Sequence, residues 1–372
     1  MSDRIWLASP HMGGGEMKYV QKAFDTNWVA PLGANVNDFE EDLRTFTGAP
    51  AAVALSAGTA ALHLAAILAG VGSGDMVFCQ DLTFSASVNP VMYLQARPVF
   101  LDSERDSWNL DPHLIRKAIE KYGVPKALVV VHLYGAPAKL DEICDICREY
   151  GIVLIEDAAE AMGAEWDGKK CGTFGQYGAL SFNGNKIITT SGGGALLCRN
   201  KEDASHALKL ATQAREPVAW YEHKEVGYNY RLSNICAGIG RGQMEVLPQR
   251  LEQKAAIYRH YRNELSGLPL TFQLCPNRGR SNHWLTAILL DRDCGVMPAQ
   301  VIRALEEANI EARHIWKPMH LQPVFADAPF VSAEEDSVSE DIFSRGICLP
   351  GDTKMTAADM YRVTDCVKGL WK

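Results

Sequence analysis

Residues 127–157 read ALVVVHLYGAPAKLDEICDICREYGIVLIED. The run ALVVVH (127–132) is continuously apolar up to its histidine and reads as a buried strand, and Ile152–Ile155 reads as another. Between them, Lys139–Tyr150 carries apolar residues that share a face at i and i+3 spacing, the mark of an amphipathic helix. Strand, helix and strand in that order form a βαβ unit, so the two strands lie parallel in one sheet. The alternation extends in both directions. Upstream, strands at 51–55, 76–79 and 98–101 alternate with helices at 60–69, 85–95 and 111–121. Downstream, 178–182 and 193–198 read as strands separated by a short loop, and Lys201–Gln213 as a helix. The expected fold is α/β, a mostly parallel seven-stranded sheet sandwiched by helices. Asn234 to about Leu265 reads as a long helix interrupted near Pro248. Beyond it come a strand (284–290), a helix (298–308), a short strand (347–349) and a closing helix (357–370), a smaller α+β unit. The expected division is 1–245 for the large domain and 246–372 for the small one.

The 372 residues suffice for two cores, and 47% hydrophobic with 22% charged is ordinary globular composition. A net charge of −8 argues against nucleic-acid binding by bulk electrostatics but leaves room for a local basic pocket. The ten cysteines are scattered, which points to free thiols in a reducing cytoplasm. Cys144 and Cys147 form a CxxC, a spacing used by redox and zinc sites. No second Cys/His pair stands at zinc spacing, so they read as two reduced cysteines on a helix. The opening MSDRIWLASP lacks a signal-peptide pattern. The stretch 51–72 is long enough to suggest a membrane span, but Ser56, Gly58, Thr59 and His63 interrupt it. A strand, a tight turn and a buried helix account for it better, and no membrane or nucleic-acid partner is expected.

In an open α/β sheet, ligands collect at the carboxyl ends of the strands. Three loops there carry chemistry. SAGTAAL (56–62) places small residues between a strand and a helix. The N–H groups of Gly58 and Thr59, with the hydroxyls of Ser56 and Thr59, make a phosphate site at the helix N-terminus. IEDAAEAMGA (155–164) sets Asp157 after a buried strand with no neighbouring cation, where it either caps a helix or meets a cationic ligand. SFNGNKIITTSGGGALL (181–197) isolates Lys186, with no charged neighbour between Lys170 and Arg199. A lysine kept from water and other charges has a lowered pKa, the state of an amine nucleophile toward a carbonyl. A phosphate cradle, a carboxylate and an isolated lysine are together the set that pyridoxal 5′-phosphate requires. Phe84 in DLTFSAS can supply a flat partner for its ring, or be a core aromatic.

At this point the sequence resembles the DegT/StrS family of pyridoxal-phosphate sugar aminotransferases, with the aspartate aminotransferase (type I) fold. The likeness covers essentially the whole chain, through SAGTAAL, DLTFSASVNP, VVVHLYG, IEDAAEAMGA, SFNGNKIITTSGGGAL, GYNYRLSNICAGIGRGQ, WKPMHLQPVF and CLPGDTKM. RHIWKPMHLQPVF and SNHWLTAILL most resemble enzymes that aminate C4 of a UDP-linked 4-keto-6-deoxy-N-acetylhexosamine. The resemblance implies that Lys186 condenses with the cofactor aldehyde, Asp157 pairs with the ring nitrogen and Phe84 stacks on the ring. Ser56, Gly58, Thr59 and Ser181 would hold the phosphate. Glu160 stands near the cofactor's 3′-oxygen, where relatives often carry Gln or His, so a carboxylate there departs from the pattern. Asn234 resembles a residue that reaches the phosphate in a neighbouring subunit, which implies a homodimer with shared active sites.

The implied reaction takes an amino group from L-glutamate, releases 2-oxoglutarate, and places the amine on a keto sugar nucleotide. The substrate's diphosphate calls for cations outside the cofactor pocket. Arg313, His314, Lys317 and His320 in ARHIWKPMH and Arg231 in NYRLSN are the candidates, with a solvated loop as the alternative for Arg313 and His314. Trp28 and Trp316 are candidates for stacking on uracil or sugar, or are packing residues. Three rival readings are a dehydratase of the same family, a non-catalytic binding protein on this fold and a thiol or metal enzyme built on Cys144 and Cys147. Relatives that are dehydratases have typically exchanged the lysine for histidine, and Lys186 argues against that class. Amination at C3 is the nearer rival.

Overall fold

A computed structural model describes residues 3–333 and 335–371. The seven expected strands are all present: β1 (Ala51–Leu55), β2 (Met76–Gln80), β3 (Arg97–Leu101), β4 (Ala127–Val131), β5 (Val153–Asp157), β6 (Tyr177–Ser181) and β7 (Gly194–Cys198). The sheet has eight strands rather than seven, because Phe330–Val331 adds a parallel edge beside β3. The order is β1-β7-β6-β5-β4-β2-β3 and then that edge. Only β7 is reversed. It pairs antiparallel with both β1 and β6, and every other pairing is parallel. β1 to β6 therefore run the same way, and the loops after β1, β2, β5 and β6 meet at one end of the sheet. This arrangement assembles the site.

The strands are buried on both faces, as continuous apolar runs require. In β1, Ala51, Val53 and Leu55 join one core, with the helices Gly58–Leu68 and Lys201–Ala211. Ala52 and Ala54 join another, with Val36, Phe39 and Leu43 of helix Ala34–Thr47. Leu128 and Val130 of β4 meet helices Pro112–Tyr122 and Leu140–Tyr150 in a third. Cys144 and Cys147 lie on the last of these helices, and burial pushes their thiols up to about 11 and about 12. Neither forms a disulfide, and at such values a thiol is a packing group rather than a nucleophile.

Two expectations for helices are corrected. The stretch 85–95 is a 3₁₀ turn, Ser85–Ser87, followed by the short helix Asn89–Tyr93. Pro90 has no N–H and fits only the first turn, so the helix starts there. The long helix is not interrupted: it runs from Asn234 to Glu264 through Pro248. Burial of Leu247 beside the proline, with the rest of the helix's packed face, offsets the one lost backbone bond. Close approach explains a glycine in this helix, since a Cβ on Gly242 would lie 2.6 Å from the Glu16 Cα of the first helix. The sequence division at 245 falls inside this helix. Beyond it, strands Leu270–Phe272, Thr286–Leu290, Arg313–His314 and Gly346–Leu349 form a four-stranded sheet packed with helices Pro298–Glu307 and Ala357–Lys368. Among the described residues, no helix is long and apolar enough to cross a membrane.

Candidate active site

The loops at the carboxyl ends of β1, β2, β5 and β6 enclose a cavity of about 370 Å³. At its β1 side, helix Gly58–Leu68 begins with no side-chain cap, so the N–H groups of its first turn stay open to an anion. Ser56, Gly58, Thr59 and Ser181 all line this end. A Cβ on Gly58 would come within 3.0 Å of the Ser181 Cβ, so glycine is what lets β1 and β6 converge on one small cradle.

Asp157 ends β5, and both its oxygens are fixed. The Ala159 N–H donates to Oδ1 at 3.0 Å and the Ser87 hydroxyl to Oδ2 at 2.6 Å. Ser87 in turn pairs with Thr83 at 2.7 Å. No helix directly follows β5 among the described residues, so the carboxylate closes a turn rather than capping a helix, and it faces the cavity. Phe84 is half exposed on the rim, its ring 5.1 Å from that of Trp316.

Lys186 lies on the loop between β6 and β7. Burial lowers its pKa, against the charges of Glu160 and Asp157, which raise it. Its Nζ sits 4.1 Å from the ring centroid of Trp284 and 4.0 Å from Glu160 Oε1. Trp284 belongs to an aromatic wall in which Tyr134 is stacked between it and Trp316, at 6.3 and 6.1 Å. The Trp284 indole N–H donates to the Asn185 carbonyl at 2.8 Å, tying the wall to the lysine loop. Burial raises the pKa of Glu160, only partly offset by Lys186 and by the Tyr134 N–H.

A second cavity, of about 630 Å³, shares Asn185, Trp284 and Trp316 with the first and is lined by Arg313 and His314. Arg313 is largely exposed and pairs with Glu311 at 2.7 Å. Lys317 is exposed and lines neither cavity. Four other candidates stand elsewhere. Arg231 is buried, donating to the Ala54 carbonyl and paired with Glu40. His320 bonds Asp81 at 2.8 Å and Glu340 at 3.1 Å while stacking on Phe330. Both side chains are engaged within this chain, each by a carboxylate brought from a distant segment. Asn234 is buried; its Nδ2 donates to the Trp28 carbonyl and its Oδ1 accepts from the Val36 N–H. Trp28 is half exposed and lines neither cavity.

Sequence reading missed Trp284, Tyr134 and Ser87. Trp284 stands in SNHWLTAILL, but nothing local shows that its ring reaches a lysine 98 positions earlier. Ser87 had a faint signal, a hydroxyl four residues from Thr83.

The donor set fits pyridoxal phosphate: an uncapped helix end with three hydroxyls, a fixed carboxylate, and an amine of lowered pKa within one cavity. Comparisons with known proteins agree. The profile of the DegT/DnrJ/EryC1/StrS aminotransferase family matches residues 10–368. The chain is 48% identical to EpsN of Bacillus subtilis, provisionally named a pyridoxal phosphate-dependent aminotransferase, over 100% of this chain and 97% of that protein. It is 35% identical to the GDP-perosamine synthase of Caulobacter vibrioides, over 98% of each. It is 31% identical to the UDP-4-amino-4-deoxy-L-arabinose–oxoglutarate aminotransferase of Shewanella sediminis, over 98% and 97%. Among solved structures, the aminotransferase TlmJ of Streptoalloteichus hindustanus superposes with a TM-score of 0.89 at 28% identity, over 98% of each chain.

Proposed function

The chain belongs to the DegT/DnrJ/EryC1/StrS family of pyridoxal phosphate-dependent sugar aminotransferases, and from that premise we propose that it moves the amino group of L-glutamate to C4 of a UDP-linked 4-keto-6-deoxy-N-acetylhexosamine. The products are a UDP-4-amino sugar and 2-oxoglutarate. The observation that carries the chemistry is the position of Lys186 Nζ, buried over Trp284 in the cavity that Asp157 and the open helix end also line. The Shewanella relative supports the donor and the position, since its name couples a UDP-4-amino sugar to oxoglutarate. A GDP-linked keto sugar is the second reading, favoured by the 35% identity to a GDP-perosamine synthase.

When bound, pyridoxal phosphate supplies an aldehyde that amines condense with and a ring that takes up electrons from an adjacent C–H bond. The chain supplies the rest. The N–H groups of Gly58 and Thr59, with the Ser56, Thr59 and Ser181 hydroxyls, would hold the phosphate. Asp157, fixed by Ser87 and Ala159, would keep a proton on the ring nitrogen. Phe84 would cover one ring face. Lys186 has the lowered proton affinity that lets its Nζ take up a proton from carbon and return it. The aromatic wall of Trp284, Tyr134 and Trp316 keeps water from that amine. The adjoining cavity would take the sugar nucleotide, with Arg313 and His314 facing its phosphates.

The test is incubation of purified protein with L-glutamate and a panel of UDP- and GDP-linked keto sugars, the amine position being read by NMR. Amination at C4 of the UDP sugar is expected; amination at C3, or of GDP sugars alone, overturns the substrate assignment. Sedimentation velocity is expected to give a particle of twice 40.9 kDa.

A further inference from the structure

Glu160 is the buried ionisable group of the cavity that this chemistry leaves unused. Its side chain is 6% exposed. Oε2 accepts the Tyr134 backbone N–H at 2.7 Å. Oε1 accepts the Trp316 indole N–H at 3.3 Å and lies 4.0 Å from Lys186 Nζ. The titratable groups that face it are Lys186, Asp157, the Tyr134 hydroxyl and the Cys348 thiol. Burial keeps the last two neutral by raising both. The charge balance of the cavity therefore rests on two carboxyls and one amine. A neutral amine beside two ionised carboxylates would leave both without a cation, which a water-poor site strongly disfavours. Yet a reactive amine must be neutral.

We propose that Glu160 and Lys186 hold one proton between them, so that the amine becomes neutral by passing its proton to Glu160 Oε1 rather than to solvent. One N–H bond breaks as one O–H bond forms, and the charge of the cavity does not change. The flexible lysine stem closes the 4.0 Å gap to hydrogen-bond length for the transfer. The Tyr134 N–H fixes the other oxygen, so Oε1 stays turned toward the amine. Burial acts on the pair in the required sense, lowering the proton affinity of the amine and raising that of the carboxyl. A glutamine at this position could still accept the Tyr134 N–H through its one carbonyl oxygen, but its amide nitrogen could neither accept from Trp316 nor hold the proton. The inference rests on Lys186 being the reactive amine.

The test titrates cofactor-free, full-length protein carrying ¹⁵N at the lysine Nζ and ¹³C at the glutamate carboxyl, with Lys186→Arg identifying the amine signal. Both nuclei are expected to follow the same two steps, as interacting groups do. A Glu160 carbon that completes a single step near the ordinary carboxylate value of about 4.3, before the nitrogen changes, overturns the proposal. In Glu160→Gln, acetylation of Lys186 by acetic anhydride, read by peptide mass spectrometry, is expected to be about tenfold faster at neutral pH, the effect of one pKa unit. An unchanged rate in a folded variant overturns it as well. Borohydride trapping separates this from the aminotransferase reading. Wild-type protein that titrates as a pair but traps no pyridoxal phosphate on Lys186 sinks that reading and keeps the pair. Trapped cofactor without joint titration does the reverse.

Discussion

Asp157 has two roles that a single substitution separates. Its oxygens accept from Ala159 N–H and from Ser87, and an asparagine can keep both contacts, its amide donating to the serine oxygen. As the acceptor that closes this turn, asparagine serves about as well as aspartate, so Asp157→Asn is expected to change unfolding free energy by less than about 1 kcal/mol. As the partner of a protonated ring nitrogen, asparagine fails because it carries no charge. Transamination is expected to fall about 100-fold or more, near 3 kcal/mol of barrier. Urea denaturation and steady-state rates on the same sample decide it, and a stability loss without a rate loss leaves only the turn. Lys186→Ala has no such ambiguity. It removes the amine, and turnover is expected to fall by roughly three or more powers of ten, with no cofactor mass fixed by borohydride. Lys186 and Asp157 stood out in the sequence because the absence of other charges around the lysine, and of a neighbouring cation for the aspartate, is itself local information. The fates of Arg231 and His320 were not legible there, because Glu40 and Asp81 lie 191 and 239 positions away. A cation's availability depends on tertiary pairing that no motif records.

The helix Gly58–Leu68 and the loops around Lys254 carry the predictions that belong to elements. Ordinarily Gly→Ala within a helix stabilises it by up to about 1 kcal/mol. At Gly58 the added Cβ would meet Ser181 at 3.0 Å and narrow the cradle. Gly58→Ala is therefore expected to leave the fold intact while raising the pyridoxal-phosphate dissociation constant about tenfold or more, as measured by absorbance titration. Lys254, on the long helix, donates to the Trp284 carbonyl at 2.8 Å and the Gly351 carbonyl at 2.5 Å. It joins the wall behind Lys186 to the CLPGDTKM loop. Burial lowers its pKa to about 8, while the unfolded chain keeps the ordinary value of about 10.4. Between those values the unfolded state binds more protons, so stability due to this group rises with pH. The neutral amine still donates to both carbonyls, so the contacts survive. Relative to Lys254→Met, the wild type is expected to gain up to about 3 kcal/mol between pH 8 and 10.5 in urea unfolding; a flat difference would show that the site stays wet. Seven strands could be read because each is a short apolar run buried on both faces. The eighth could not: Phe330–Val331 is two residues long, and only its pairing with Phe100 and Leu101 makes it a strand.

At the scale of the molecule, the division near residue 245 bears on how the chain folds. A cut there severs the helix Asn234–Glu264 near its middle. It also removes Met319 and Phe325 from the core that holds β1 and β2, and Val331 from the core that holds Phe78 and Leu101. Fully burying each such side chain is worth about 1.5–3 kcal/mol, so these three alone account for roughly 4.5–9 kcal/mol. That is comparable to the whole stability of a domain, about 5–15 kcal/mol. The interleaving runs the other way too. Ile5 bridges to Ile310 and lies in the core of the small sheet, and the Gly351 N–H donates to the Leu7 carbonyl at 2.8 Å. Each sheet thus depends on chain from the far end of the sequence, so the boundary separates two sheets without separating two folding units. The fragment 1–245 is expected to lack the dispersed amide spectrum of a folded protein. The full chain is expected to unfold in one calorimetric transition, with calorimetric and van't Hoff enthalpies equal for each folded unit that melts. A folded fragment, or two resolved transitions of which one survives the truncation, would show that the large sheet closes its core without the returning chain.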